Sequence, residues 1–120
     1  MVRNIAAIVA VVIIVAGGIA LEIYMEHTLD KLEEHITAIE KDGQFSLEKA
    51  EQAMDWWDKK TKILAMFISH DPLHEIDDYL AEIKGAIIFD PQSARPALEK
   101  ALSAKDNMLD QHKLSFSNIF

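Results

Sequence analysis

Residues 69–78 read SHDPLHEIDD, two histidines and four acids in ten positions around one proline. If the stretch lies within one helix, His70 and His74 stand at i and i+4 on one face, the spacing by which two imidazoles reach one metal ion. If it joins two helices, that spacing carries no chemistry, and the chain becomes a series of packed helices. Pro72 favours the junction. Proline has no N–H to donate, and it pushes the preceding residue out of the α region. Asp71 is then the N-cap and Pro72 the first helical residue. Glu75, Asp77 and Asp78 fall early in the next helix, where its dipole favours negative charge. On this reading the two histidines belong to different helices.

On both sides of the junction apolar residues recur at three- and four-residue steps, the α-helical period. Downstream, Leu73, Ile76, Leu80, Ile83 and Ile87 make one stripe, stopped at Asp90-Pro91. A further helix carries Ala94 or Ala97, Leu98, Ala101, Leu102, Met108 and Leu109, with Pro96 tolerable only in its first turn. Upstream, Ser46 has the character of an N-cap. It precedes the stripe Ala50, Met54, Trp57, Thr61, Leu64, Ile68 and a second stripe, Trp56, Ile63, Phe67. Two adjoining stripes predict a helix packed on two sides, at the centre of a bundle. Before it, Leu21, Met25, Leu29, Leu32, Ile36 and Ile39 form a stripe that ends at Asp42-Gly43, a helix stop with glycine at C′. No strand pattern is visible in the body of the chain.

The first stripe continues an uncharged run, Ile5–Leu21, seventeen residues long. Extended to Met25, with Glu22 snorkelling to the headgroups and Tyr24 in the interfacial belt, it suffices to span a bilayer. A helix apolar on every face needs a large protein around it, which the rest of this chain cannot supply. The rival is a cleaved signal peptide, with Gly18-Ile19-Ala20 as the small-x-small site, but its basic leader is thin and its apolar run long. Arg3 and the amino terminus precede the span while Glu22 and Glu26 follow it, so the expected topology is N-terminus cytoplasmic, body extracytoplasmic. The divisions are residues 1–4 inside, 5–25 in the membrane, 26–113 as a helical bundle and 114–120 as an apolar tail. The expected fold is all-α, an N-terminal transmembrane helix continuing into a small antiparallel helical bundle.

All 20 acids lie beyond residue 21, with 11 of the 12 lysines and arginines, so the outer part carries a charge of −9. That argues against nucleic acid as a partner and against lying flat on an anionic surface. The chain has no cysteine, hence neither disulfides nor the cysteine that a lipoprotein anchor needs. No nucleophile-and-base arrangement and no phosphate loop occur, and Glu-x-x-His, the di-iron bundle motif, is absent. No catalytic residue, cofactor or metal ligand is therefore assigned. The HD-type phosphohydrolase signature is matched only by the two letters His70-Asp71. A sensor domain that uses residues 70–78 to bind a ligand or metal remains the alternative, and a metal-dependent enzyme the second. The acid pairs Glu33-Glu34 and Asp77-Asp78 read most simply as solvated helix faces.

Two features point to a protein partner. Adjacent helical residues project about 100° apart, so Trp57 can fill the core while Trp56 reaches a groove or an anchor point of the hot-spot kind. The ending LSFSNIF, residues 114–120, carries Leu114, Phe116, Ile119 and Phe120, which something must cover. Either the segment clasps back on the bundle or it docks to a partner. Candidate partner-binding residues are thus Trp56, Phe116, Ile119 and Phe120. The expected role is an interaction or accessory module for a larger membrane protein, in unknown oligomeric state.

The anchor, the tryptophan-bearing helix leading into FISHDPLHEIDDYL (residues 67–80) and the LSFSNIF ending together resemble a family of small bacterial membrane proteins, found mainly among Firmicutes and catalogued as domain of unknown function 4363. The likeness covers most of the chain through short motifs, and the doublet Trp56-Trp57 leaves open which tryptophan matches. The resemblance implies a location and an architecture, a membrane-anchored helical domain, and no catalytic residues.

Overall fold

The computed structural model describes the backbone of residues 2–119 and the side chains of residues 3–111. Helix α1 runs unbroken over Val2–Thr37, and a two-stranded ladder follows, β1 (Glu40–Lys41) on β2 (Gln44–Phe45). Helices α2 (Leu47–Leu64) and α3 (His70–Phe89) come next, then a single 3-10 turn over Pro91–Ser93 and helix α4 (Ala94–Ile119). The all-α architecture with a long N-terminal helix is as expected.

α1 packs on α2 and α4, and α3 packs on the same two, which is the cyclic order of a four-helix bundle. Short connections make successive helices antiparallel. The molecule measures 67 × 24 × 23 Å because α1 overshoots its partners. The N-terminal part of α1 projects beyond its partners: its most apolar window is long and apolar enough to cross a membrane and has no buried residue. The same helix then enters the core through Met25, Leu29, Leu32 and Ile36, all fully buried. Around them close Ala50, Ala53, Trp57 and Leu64 of α2, Leu73, Ile76, Leu80 and Ile83 of α3, and Ala97, Ala101 and Met108 of α4. Each large aliphatic side chain withdrawn from water contributes about 1.5–3 kcal/mol before ordering costs are counted.

Four local features correct the sequence reading. First, α1 stops at Thr37, and Asp42-Gly43 is the tip of the β1–β2 hairpin with φ of 53° and 79°. Two left-handed central residues are what a tight type I′ turn requires, and Asp-Gly supplies them. The same dipeptide serves equally as a helix stop, so the sequence did not separate the two. Second, α3 begins at His70 with Ser69 as an extended N-cap that makes no side-chain cap bond. Pro72 is therefore its third residue, still within the first turn, where a missing N–H goes unnoticed. Asp71 is helical, and His70 and His74 share one helix after all. Third, no helix is central: α2 has neighbours on two sides as expected, but so do the others. Fourth, the fully buried set of α2 includes Ala53, off the expected stripe, while Ile63 and Phe67 of its second stripe stay exposed.

Ser46 caps α2 as expected, its hydroxyl accepting from the Lys49 N–H at 3.2 Å. Pro96 likewise sits in the first turn of α4.

Candidate functional site

The first candidate, residues 70–78, forms the opening turns of α3. The exposed rings of His70 and His74 stack with centroids 6.0 Å apart, as i,i+4 neighbours do. His74 Nδ1 lies 3.8 Å from Asp77 Oδ2. Burial pushes the Asp77 carboxyl above its ordinary range; His74 opposes the shift, and Asp58 and Asp78 reinforce it. Among the described residues no three histidine, aspartate or glutamate side chains converge as a metal-holding group.

The second candidate is Trp56. Its half-buried ring meets the imidazole of His35 at 4.6 Å between centroids, tilted by 31°. Lys60 Nζ lies over the same ring at 5.9 Å and over Tyr24 at 6.0 Å. Trp56 is thus flanked by His35 and Lys60 of its own chain. Partial burial lowers the His35 pKa, with Glu34 opposing and Lys31 and Lys49 adding to the effect. Trp57 is fully buried, and its indole N–H donates to the Leu73 carbonyl at 3.4 Å, tying α2 to the start of α3.

The third candidate is the tail. Its backbone as far as Ile119 belongs to α4. The side chains of Leu114, Phe116 and Ile119, and Phe120 altogether, on which the expectation of a clasp or a docking peptide rests, lie outside the described residues.

Other surface features had a weaker sequence signal. Below Leu64 the chain turns through Ala65–Ile68, leaving Met66 76 % and Phe67 58 % exposed beside Ile63. At the opposite end of the bundle Ile88 is exposed and Phe89 is 85 % exposed, one residue before the Asp90-Pro91 stop. Both follow Ile87, the last residue of their stripe, and fall off its face. Lys105 is buried on α4 between Ala101 and Met108, with Asp106 and Glu33 as charge partners. A lysine at helical spacing between two core residues was the available signal. No family model matches this chain, and neither does a curated protein or a solved structure.

Proposed function

We propose that the chain is a single-pass protein of a bacterial cell envelope. Residues 5–25 of α1 cross the membrane, the N-terminus lies in the cytoplasm, and the acidic bundle works outside as an interaction or accessory module for a larger membrane protein. One observation carries the reading. α1 is a single helix whose first half is apolar, with no buried residue in its most apolar window, and whose second half is bundle core. In water the first half would expose Ile5, Ile8, Val12 and Ile14 together, a surface that only lipid or protein can cover. Arg3 before the span, Glu22 at its outer end and Glu26 after it support the orientation. Phe89 and Ile88, uncovered at the far end, support a protein contact there. The family likeness, an anchored helical domain with no assigned reaction, accords with this.

Topology is tested with the cysteine-free chain. Gln44→Cys, exposed beside the hairpin tip, is expected to react in intact cells with a maleimide that cannot cross the membrane. Labelling only after lysis would reverse the orientation. The partner is tested with a photo-crosslinking residue at position 89 in intact membranes. A discrete adduct with one larger membrane protein is expected, and its absence would leave the module role without support.

A second reading keeps residues 70–78 as a ligand or metal sensor, favoured by the placement of His70 and His74 on one helix face. Zinc titration of the purified protein is its test. Saturable binding abolished by His74→Ala would establish it.

A further inference from the structure

We infer that the turn between α2 and α3, with Ile63, Met66 and Phe67, is a second membrane contact, seated among the outermost acyl carbons beside the anchor. This deepens the proposed anchored reading and rests on it.

The argument is one of depth. A hydrocarbon core about 30 Å thick takes roughly 20 helical residues, so a span beginning at Ile5 ends near Tyr24. Tyrosine is also a residue that the outer boundary favours. Lys60 Nζ stands 6.0 Å from the centroid of the Tyr24 ring, which places this part of α2 level with that boundary. α2 runs antiparallel to α1, from the hairpin back toward the anchor, so whatever follows Lys60 lies deeper. Leu64 is one helical turn further on, roughly 6 Å lower at 1.5 Å per residue. Ala65–Ile68 then reverse the chain at that depth.

The burial of α1 agrees with this register. Below Met25 its packed stripe continues through the half-buried Leu21, Gly18 and Val15. The bundle therefore overlaps the apolar run instead of standing off from it.

The side chains at this depth suit acyl chains. Ile63 is 44 % exposed, and Met66 and Phe67 are more so. On α1, at comparable depth in the span, Ile19 and Ile23 are exposed as well. Lys59 and Lys62, exposed just above, can extend their ammonium groups to headgroup phosphates. Asp58 and Asp71 flank the same end, so the local charge is mixed. Insertion is consequently driven by apolar burial and is expected to be indifferent to anionic lipid.

The test uses the full chain in phosphatidylcholine vesicles, with an environment-sensitive fluorophore on single cysteines at Phe67→Cys, Gln44→Cys and Ile14→Cys. Met66→Cys duplicates the first in case position 67 perturbs the turn. Two sets of lipids serve as quenchers, one spin-labelled near the headgroup end of the acyl chain and one near its methyl end, because position 14 lies roughly 15 Å inside either boundary. Expected is a blue-shifted probe at position 67 that loses most of its emission to the first set, a probe at 14 quenched by the second, and one at 44 unaffected by either. If 14 is quenched while 67 and 66 behave like 44, the turn contact is wrong and the anchor stands. A blue-shifted probe at 67 that lipid does not quench means that protein covers the turn, which also overturns the inference. Should position 14 itself escape quenching, the anchored reading fails first and the turn contact fails with it.

Discussion

Lys105 of α4 reaches Glu33 of α1, Nζ to carboxylate oxygen 3.5 Å, with its side chain only 8 % exposed. Asp106 takes the same ammonium at 2.5 Å. Burial pulls the Lys105 pKa down, but hydrogen bonding and charge from Asp106 and Glu33 outweigh it, and the net shift is upward from 10.5. A group whose folded pKa is raised stabilises fully below its unfolded value and loses that contribution as pH rises through the folded one. The pair therefore supports the fold across neutral pH and fails only in alkali above 10.5. Lys105→Ala, which also deletes a buried stem, is expected to cost about 1–3 kcal/mol in urea unfolding. Lys105→Met keeps the stem and is expected to fall within about 1 kcal/mol of the parent. A large loss in Lys105→Met would show that the charge, and not the stem, holds α4 to α1.

The two tryptophans separate by the same measurement. Trp57→Ala is expected to cost about 3–5 kcal/mol, as emptying a core aromatic site does. Trp57→Phe keeps most of the volume but loses the bond to the Leu73 carbonyl, and about 1–3 kcal/mol is expected. Trp56→Ala loses its ring contacts with His35 and Trp57 and part of a surface, so about 1–2 kcal/mol is expected. Equal losses at positions 56 and 57 would contradict the placement of Trp57 alone in the core.

Much of the fold was legible because it depends on one period. Met25, Leu29, Leu32 and Ile36 fall on a strict helical stripe and are all buried, as are Leu73, Ile76, Leu80 and Ile83. Residues that obey two rules at once were not legible. Asp42-Gly43 satisfies both a helix stop and a hairpin tip, and only the pairing of Glu40 with Phe45 decides between them. Pro72 marks a helix start to within one turn, because the first three N–H groups of a helix have no intrahelical partner anyway. The site was less legible still. Which face of Trp56 is covered depends on His35, twenty-one residues away in the chain. The exposure of Met66 and Phe67 depends on where the turn stands relative to α1, which no local pattern encodes.

His35 gives the fold a dependence on mild acid. Burial disfavours its imidazolium, and Lys31 and Lys49 add to this while Glu34 opposes it, so its folded pKa lies below 6.5. A lowered pKa means that stability is complete above the unfolded value and declines as pH falls toward the folded one. Melting temperature should therefore drop as pH is taken below 6.5. His35→Phe, which retains a ring against Trp56, should flatten that part of the profile. An unchanged slope in the variant would assign the acid loss to other groups.

Asp77 predicts the opposite sign for a carboxylate. Its folded pKa is raised from 3.8, first by burial, with His74 opposing and Asp58 and Asp78 adding repulsion. The charged form is thus the disfavoured one in the folded protein at neutral pH, and the penalty fades as pH falls through the folded value. Asp77→Asn is expected to raise the melting temperature slightly at pH 7 and to match the parent in acid, by differential scanning calorimetry. A lower melting temperature at neutral pH would mean that the ion pair with His74 matters more than the burial.

Gly43 tests whether the hairpin tip, and not a helix stop, shapes the link from α1 to α2. Its φ of 79° is left-handed, yet a Cβ built there would meet nothing within 4 Å. Any cost of adding a side chain is then conformational and not a clash. Alanine in the left-handed region costs roughly 1–2 kcal/mol, and Gly43→Ala should be destabilised by about that much. Asparagine tolerates the same region through its local hydrogen bonding, so Gly43→Asn should recover most of the loss. A hairpin tip has a further requirement that a helix stop lacks, because Asp42 must be left-handed too, at φ 53°. Asp42→Val should therefore cost about as much as Gly43→Ala or more, since β-branching resists φ above zero. If Asp42→Val is neutral while Gly43→Ala is costly, residue 42 does not need its left-handed geometry in solution, and the two-residue turn is wrong.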